Sequence, residues 1–232
     1  ELFGKYPFAE MPLPEFPEND LEDIPKLGRG QTLGEKCGIA QWPDNIRRMW
    51  AAYYATVTFM DTQIGKILDE LDAQGLSETT AIVFTSDHGY HLGEHDFWQK
   101  SDLHEEVTRV PLIISVPGMK PGRTTSLAEL VDIYPTVCEI MNLTIPTTVQ
   151  GKSLLPIIKD STVSVRDTAL SLNRGHHALR TDRWAYIRYK DGSEELYDME
   201  KDPGQFSNLA VSEAPPATLK EVRDMLSTRL GQ

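Results

Sequence analysis

Apolar residues Ile46, Trp50, Tyr53, Tyr54, Val57, Met60, Ile64, Ile67, Leu68 and Leu71 recur near helical spacing and predict one long helix ending at about Ala73. Asp44 stands where it can cap the start, and Gly75 where it can stop the end. At this spacing the aromatic side chains form a stripe for packing against a core rather than a ligand platform. Asp61 falls inside the helix and is assigned to structure, not to a metal.

After this helix the period changes. The run TTAIVFT at 79–85 is apolar and β-branched between polar flanks, which suits a strand buried on both faces of a parallel sheet. VPLIISV at 110–116 predicts a second buried strand. Gly118 and the pair Pro121 and Gly122 mark a surface turn, and Pro135 fits the first turn of a helix reaching Met141. Beyond about residue 160 short strands alternate, at 168–172, 177–180, 184–189 and 195–197. Asp191 and Gly192 signal a hairpin between the last two, and an amphipathic helix over 217–230 is placed to cover one face of the antiparallel sheet. Residues 1–40 differ from all of this: Pro7, Pro12, Pro14, Pro17 and Pro25 prevent long regular elements. That acidic stretch reads either as an extended segment wrapping a body or as a disordered arm. The pattern divides the chain into an α/β part, 1–158, and a small antiparallel sheet with a helix, 159–232.

Candidate chemistry sits at the exit of the first strand. In open α/β sheets the ligand crevice lies outside the carboxyl ends of the strands, so Asp87 and His88 would point into it. A carboxylate and a neutral imidazole suit Ca, Mg, Mn or Zn without choosing among them. Taken alone, the pair also reads as a turn in which Asp87 caps Gly89 and His88 is solvated or satisfied in a core. Gly89 and Gly93 change the balance, because they let the loop fold back and let backbone approach a ligand. Lys100 can then return to the same pocket as a point charge for an oxyanion. His91 and His95 add donors. Further on, Glu105 and Glu106 with Arg109 read as a structural ion pair holding the loop. His104 either donates to a leaving-group oxygen or caps the loop. His176 and His177, after Asn173, Arg174 and Gly175, read as a loop at the surface or substrate rim.

The segments SDHGYHLGEH at 86–95, WQK at 98–100 and EEVTRVPLII at 105–114 resemble the sulfatase family of the alkaline-phosphatase-like superfamily, most closely its iduronate-2-sulfatase and choline-sulfatase branch. AYYATVTFMD at 52–61 with IGKIL at 64–68 looks like the helix preceding the metal strand in that family. LAELVDIYPT at 127–136, GKSLL at 151–155 and ELYDMEKDP at 195–203 with NLA at 208–210 look like its downstream elements. The resemblance implies an α/β fold, a mostly parallel sheet flanked by helices with a small antiparallel C-terminal subdomain. It implies that Asp87 and His88 ligate a divalent cation, usually calcium with magnesium or manganese as alternatives, and that Lys100 contacts sulfate. It implies a sulfated sugar or another sulfate ester as substrate, with His95 and His104 the visible candidates for the acid that protonates the leaving group. The family's nucleophile is a formylglycine made in a Cys/Ser-x-Pro/Ala-x-Arg motif, and neither Cys37 nor Cys138 lies in one. Ser115 has the proline at Pro117 but lacks the arginine. The early Asp-Asp pair of the family's metal site is also missing. The expectation is therefore the C-terminal part of a longer enzyme, inactive alone, whose partner is the missing N-terminal half. Phosphodiesterases and phosphonate monoester hydrolases of the same superfamily share much of this pattern, and a non-catalytic fragment or pseudoenzyme is the third reading.

Composition narrows the classes. Hydrophobic residues make up 40% and charged residues 25% of 232 positions, enough for a substantial core and against global disorder. A net charge of −12 leaves no basic stripe for nucleic acid. It does not exclude an anionic substrate, because a pocket can be locally positive on an acidic protein. No apolar run reaches transmembrane length. Two distant cysteines define neither a disulfide framework nor a zinc spacing; Cys138 reads as a buried thiol. Asn142 and Thr144 frame one glycosylation sequon. The resemblance favours a periplasmic, secreted or lysosomal setting.

Overall fold

The computed structural model describes residues 2–29, 33–42 and 44–232. Two short 3-10 turns and the single-turn helices α1 (Lys26–Arg29) and α2 (Gly34–Cys37) precede α3 (Asn45–Ala73). The long helix has its expected ends, with Gly75 at φ 66° just past the last turn. Asp44 does not cap through its side chain; its backbone is left-handed at φ 62° and makes no side-chain capping bond. Only Ala51 and Ala55 of α3 are buried. Trp50 donates its indole N–H to the Leu92 carbonyl at 2.7 Å, and Tyr54 packs against Trp50 and Tyr6. Further along, Phe59, Met60 and Ile67 are exposed, Ile67 at 68%. An apolar stripe is buried only where another element lies on it, so the expected core packing holds for the first half of α3 alone.

β1 (Ile82–Thr85) leads into the loop that carries β2 (His91–Leu92), β3 (Trp98–Gln99) and α4 (Glu105–Thr108), and β4 (Leu112–Ser115) follows. β1 and β4 pair antiparallel, from Ile82 opposite Ser115 to Thr85 opposite Leu112. The expected parallel, doubly buried arrangement is corrected for this pair. Its loop carries the chain back through a single helical turn rather than a crossover helix, and the two-stranded sheet leaves Ile113 60% exposed. The α/β class stands, with every described strand pair antiparallel.

Beyond α5 (Ile133–Ile140) and α6 (Leu155–Lys159), the strands β5 (Ala169–Asn173), β6 (His176–Arg180), β7 (Trp184–Arg188) and β8 (Glu194–Asp198) form an antiparallel meander in chain order. Arg174 and Gly175, at φ 50° and 84°, make the two-residue turn between β5 and β6. His176 and His177 are therefore strand residues, not loop residues. α7 (Thr218–Leu230) lays Leu219, Val222 and Leu226 against Leu179, Tyr186 and Leu196 in a buried cluster. Each such side chain taken out of water contributes about 1.5–3 kcal/mol.

One ionic knot ties the middle of the chain to this sheet. Asp132 is fully buried and accepts from Arg166 Nε at 3.0 Å and from the Lys152 backbone N–H at 2.7 Å. Arg166 also reaches Glu129 at 2.9 Å, and Glu129 binds Arg229 of α7 at 2.7 Å. Removing one partner strands the others without water, so Asp132→Ala is expected to cost about 3–5 kcal/mol of unfolding free energy in urea titration. A loss under about 1 kcal/mol would show that the knot is dispensable.

Candidate functional site

β1 ends at Thr85 and the chain turns at once. The Ser86 hydroxyl donates to the His88 carbonyl at 2.8 Å and the His88 backbone N–H to Asp87 Oδ1 at 3.1 Å, which fixes both side chains in one tight turn. His88 Nδ1 lies 2.8 Å from the Gly89 carbonyl. A carbonyl only accepts, so Nδ1 carries the hydrogen and Nε2 keeps its lone pair. That lone-pair nitrogen is 3.5 Å from Asp87 Oδ2, and the Asp87 side chain is 85% exposed. Two donors at this separation can share a cation at bond lengths of about 2.0–2.5 Å. The pair fits a divalent cation, while a hard ion such as calcium takes about 6–8 oxygens in all.

Gly89 makes the turn possible. A Cβ there would lie 1.8 Å from the Glu106 carbonyl oxygen, and the Gly89 N–H donates to the Val107 carbonyl at 2.8 Å. α4 is thus packed directly against the turn that holds Asp87 and His88. Glu105, at its first position, pairs with Arg180 Nε of β6 at 2.8 Å and donates its N–H to Gln205 at 2.8 Å. The expected pairing of these carboxylates with Arg109 is corrected: Arg109 is exposed, and the ionic tie runs to the C-terminal sheet instead. Lys100, just after β3, is exposed. Asp87, His88 and Lys100 all line one open depression of about 2300 Å³. Its walls carry seven Lys or Arg against six Asp or Glu, near balance on a chain of net charge −12. An anion meets less repulsion there than over the surface at large.

His95 and His104 are elsewhere. Both are fully buried, and neither lines the depression. His95 Nδ1 lies 2.8 Å from Asp20 Oδ2, and His104 Nε2 lies 3.0 Å from Glu195 Oε2. An acid must reach the oxygen it protonates, so neither imidazole is placed for the leaving-group role in this arrangement. Burial opposes a charge on His104, but Glu195 and Asp102 outweigh it and hold its pKa well above the usual histidine value. Burial likewise works against charge on Asp102 and Glu195, yet His104, joined by His91 at Asp102 and by two tyrosine hydroxyls at Glu195, keeps both carboxyls below their usual range. Asp20 and Glu195 escaped sequence reading because each meets its histidine only through the fold, whereas Asp102 stands two residues before His104.

Residues 11–143 match the protein-family model described as Sulfatase. The chain belongs to the sulfatase family. Residues 93–232 match a second model, N-sulphoglucosamine sulphohydrolase, C-terminal. A sulfatase of Formosa agariphila is 32% identical over 214 residues, covering 90% of this chain and 42% of its own length. Among solved structures, BT4656 in complex with its substrate D-glucosamine-2-N,6-O-disulfate is similar with a TM-score of 0.73 and 27% identity, covering 87% of this chain and 45% of that one. The phosphonate monoester hydrolase SpPMH of Silicibacter pomeroyi gives a TM-score of 0.84 at 26% identity, covering 96% and 51%. The chain spans less than half the length of the sulfatase it matches. No described helix is long and apolar enough to cross a membrane.

The closeness of Gly89 to α4 gives a direct test. Gly89→Ala is expected to cost about 1–3 kcal/mol through overpacking against backbone, read as a lower chemical-denaturation midpoint. A stability within about 0.5 kcal/mol of the parent would mean the approach is not as close as described.

Proposed function

We propose that this chain supplies the cation-binding and sulfate-binding side of a sulfuric ester hydrolase acting on a sulfated sugar or polysaccharide. The observation that carries the reading is the convergence of Asp87, His88 and Lys100 on one depression at the end of β1. Membership of the sulfatase family supports the reaction class. The sugar is supported by a similar structure whose substrate is a disulfated glucosamine.

In this reading Asp87 Oδ2 and His88 Nε2 hold a divalent cation, with calcium favoured by the family and magnesium or manganese as alternatives. When bound, such a cation acts as a Lewis acid on the sulfate oxygens and a template for in-line attack. The Lys100 ammonium contacts the sulfate from another side and offsets charge on the transferring group. The formylglycine motif does not occur in these 232 residues, so the nucleophile and the remaining ligands come from sequence outside them, and the chain is inactive alone. The leaving-group acid is assigned outside the buried His95 and His104. A periplasmic, secreted or lysosomal setting goes with this function.

A second reading keeps the site and changes the ester. The phosphonate monoester hydrolase likeness, with a TM-score of 0.84, supports it. Relative kcat/KM on aryl sulfate and aryl phosphonate esters separates the two, and a preference for phosphonate would replace the sulfatase reading.

In the enzyme that joins this chain to a formylglycine motif, Lys100→Ala is expected to lower sulfate ester turnover by at least about tenfold, roughly 1.4 kcal/mol of transition-state stabilisation. A smaller loss contradicts the role given to Lys100. Asp87→Ala in the same enzyme is expected to abolish binding of calcium, magnesium or manganese, measured by elemental analysis for those three ions, and an unchanged content of them would refute the ligand assignment.

A further inference from the structure

Behind the candidate site lies a second set of metal-binding side chains that the proposed reaction does not use. His91, Asp102 and His104 each offer one ligand atom, and the three atoms lie within 4.8 Å of one another. His91 Nε2 and His104 Nδ1 stand 3.0 and 3.5 Å from Asp102 Oδ1. Tetrahedral bonds of about 2.0–2.1 Å set neighbouring donors about 3.3 Å apart, so the two measured separations already bracket the required edge. Both imidazoles are 0% exposed, and the Asp102 side chain is 5% exposed. His91 Nδ1, His104 Nδ1 and Asp102 Oδ2 are buried with no hydrogen-bond partner.

Charge points the same way. Asp102 and Glu195 are both buried beside His104, and among the described residues neither forms an ion pair with a Lys or Arg. Beside the imidazoles, Glu195 has the hydroxyls of Tyr189 and Tyr197 and Asp102 the His104 backbone N–H, neutral donors that leave the two buried carboxylates open to a cation. Two nitrogens and one oxygen in a small, mostly buried site whose Asp102 also borders the depression are the donor set of zinc rather than of calcium or magnesium.

We propose that His91, Asp102 and His104 form a structural zinc site, separate from the Asp87 and His88 pair. Zinc there would join the two ends of the segment from His91 to His104 and so clamp the stretch after β3 that carries Lys100. Glu195, 3.0 Å from His104 Nε2, stands as the outer carboxylate that orients the ligand ring and ties it to β8.

The test uses protein carrying Asp87→Ala and His88→Ala, so that zinc at the substrate side is not counted and failure of the sulfatase reading does not affect the result. After exposure to zinc and desalting, elemental analysis is expected to give one zinc per chain. X-ray absorption at the zinc edge is expected to show a nitrogen and oxygen shell with imidazole scattering. Adding Asp102→Asn should weaken zinc affinity at least about tenfold, and a chelator should lower the Tm. Folded protein that retains no zinc, a shell without imidazole, or unchanged affinity in the Asp102→Asn protein would each overturn the proposal. Should the Asp102 variant fail to fold, the absorption spectrum of the intact cluster decides alone.

Discussion

The loop from Asp87 to Lys100 carries the candidate site; it buries Leu92, Phe97 and Trp98, and it is tied to distant parts of the chain by buried contacts between imidazoles and carboxylates. His95 meets Asp20 from the N-terminal segment, while His104 meets Asp102 within the loop and Glu195 from β8. Tyr189 and Tyr197 complete the set by donating to Glu195. Three stretches far apart in sequence are thereby fixed to one another at a buried point. Such contacts add modest net stability, but loss of one member costs far more than the whole set is worth, because the others are left charged and unpaired. The loop can hold its position only while all three stretches are in place.

This constraint changes the role of the C-terminal sheet. β6 binds Glu105 through Arg180, Gln205 receives the Glu105 N–H, and β8 places Glu195 under the loop. Gly89 meets α4 on its other side. The sheet and α7 therefore form a platform that fixes the angle at which Asp87, His88 and Lys100 face the depression. The N-terminal segment contributes in the same manner: Asn208 bonds Asp23 at 2.8 Å, and Ile24 packs with Leu33 and Phe97.

Much of this was legible in the sequence where the signal is local. The ends of α3, the four strands of the meander and α7 follow from periodicity and turn residues within a few positions of each element. That Asp87, His88 and Lys100 would face one depression was legible from ligand types, two glycines and the family resemblance. What escaped is what depends on distance along the chain. Asp20 and His95 are 75 residues apart, so nothing local in the sequence shows that this histidine is buried against a carboxylate. Arg166 and Asp132 are 34 apart, and neither residue alone announces the knot they make. The α3 stripe and the exposed Ile113 mislead for a related reason: periodicity tells which face is apolar, and only another element can bury it.

The most direct measurement is an anomalous difference map from crystals soaked with manganese and sulfate. A manganese peak is expected within about 2.5 Å of both Asp87 and His88, with sulfate beside it in hydrogen-bond reach of Lys100. Manganese bound away from this pair, or sulfate bound out of reach of Lys100, would contradict it.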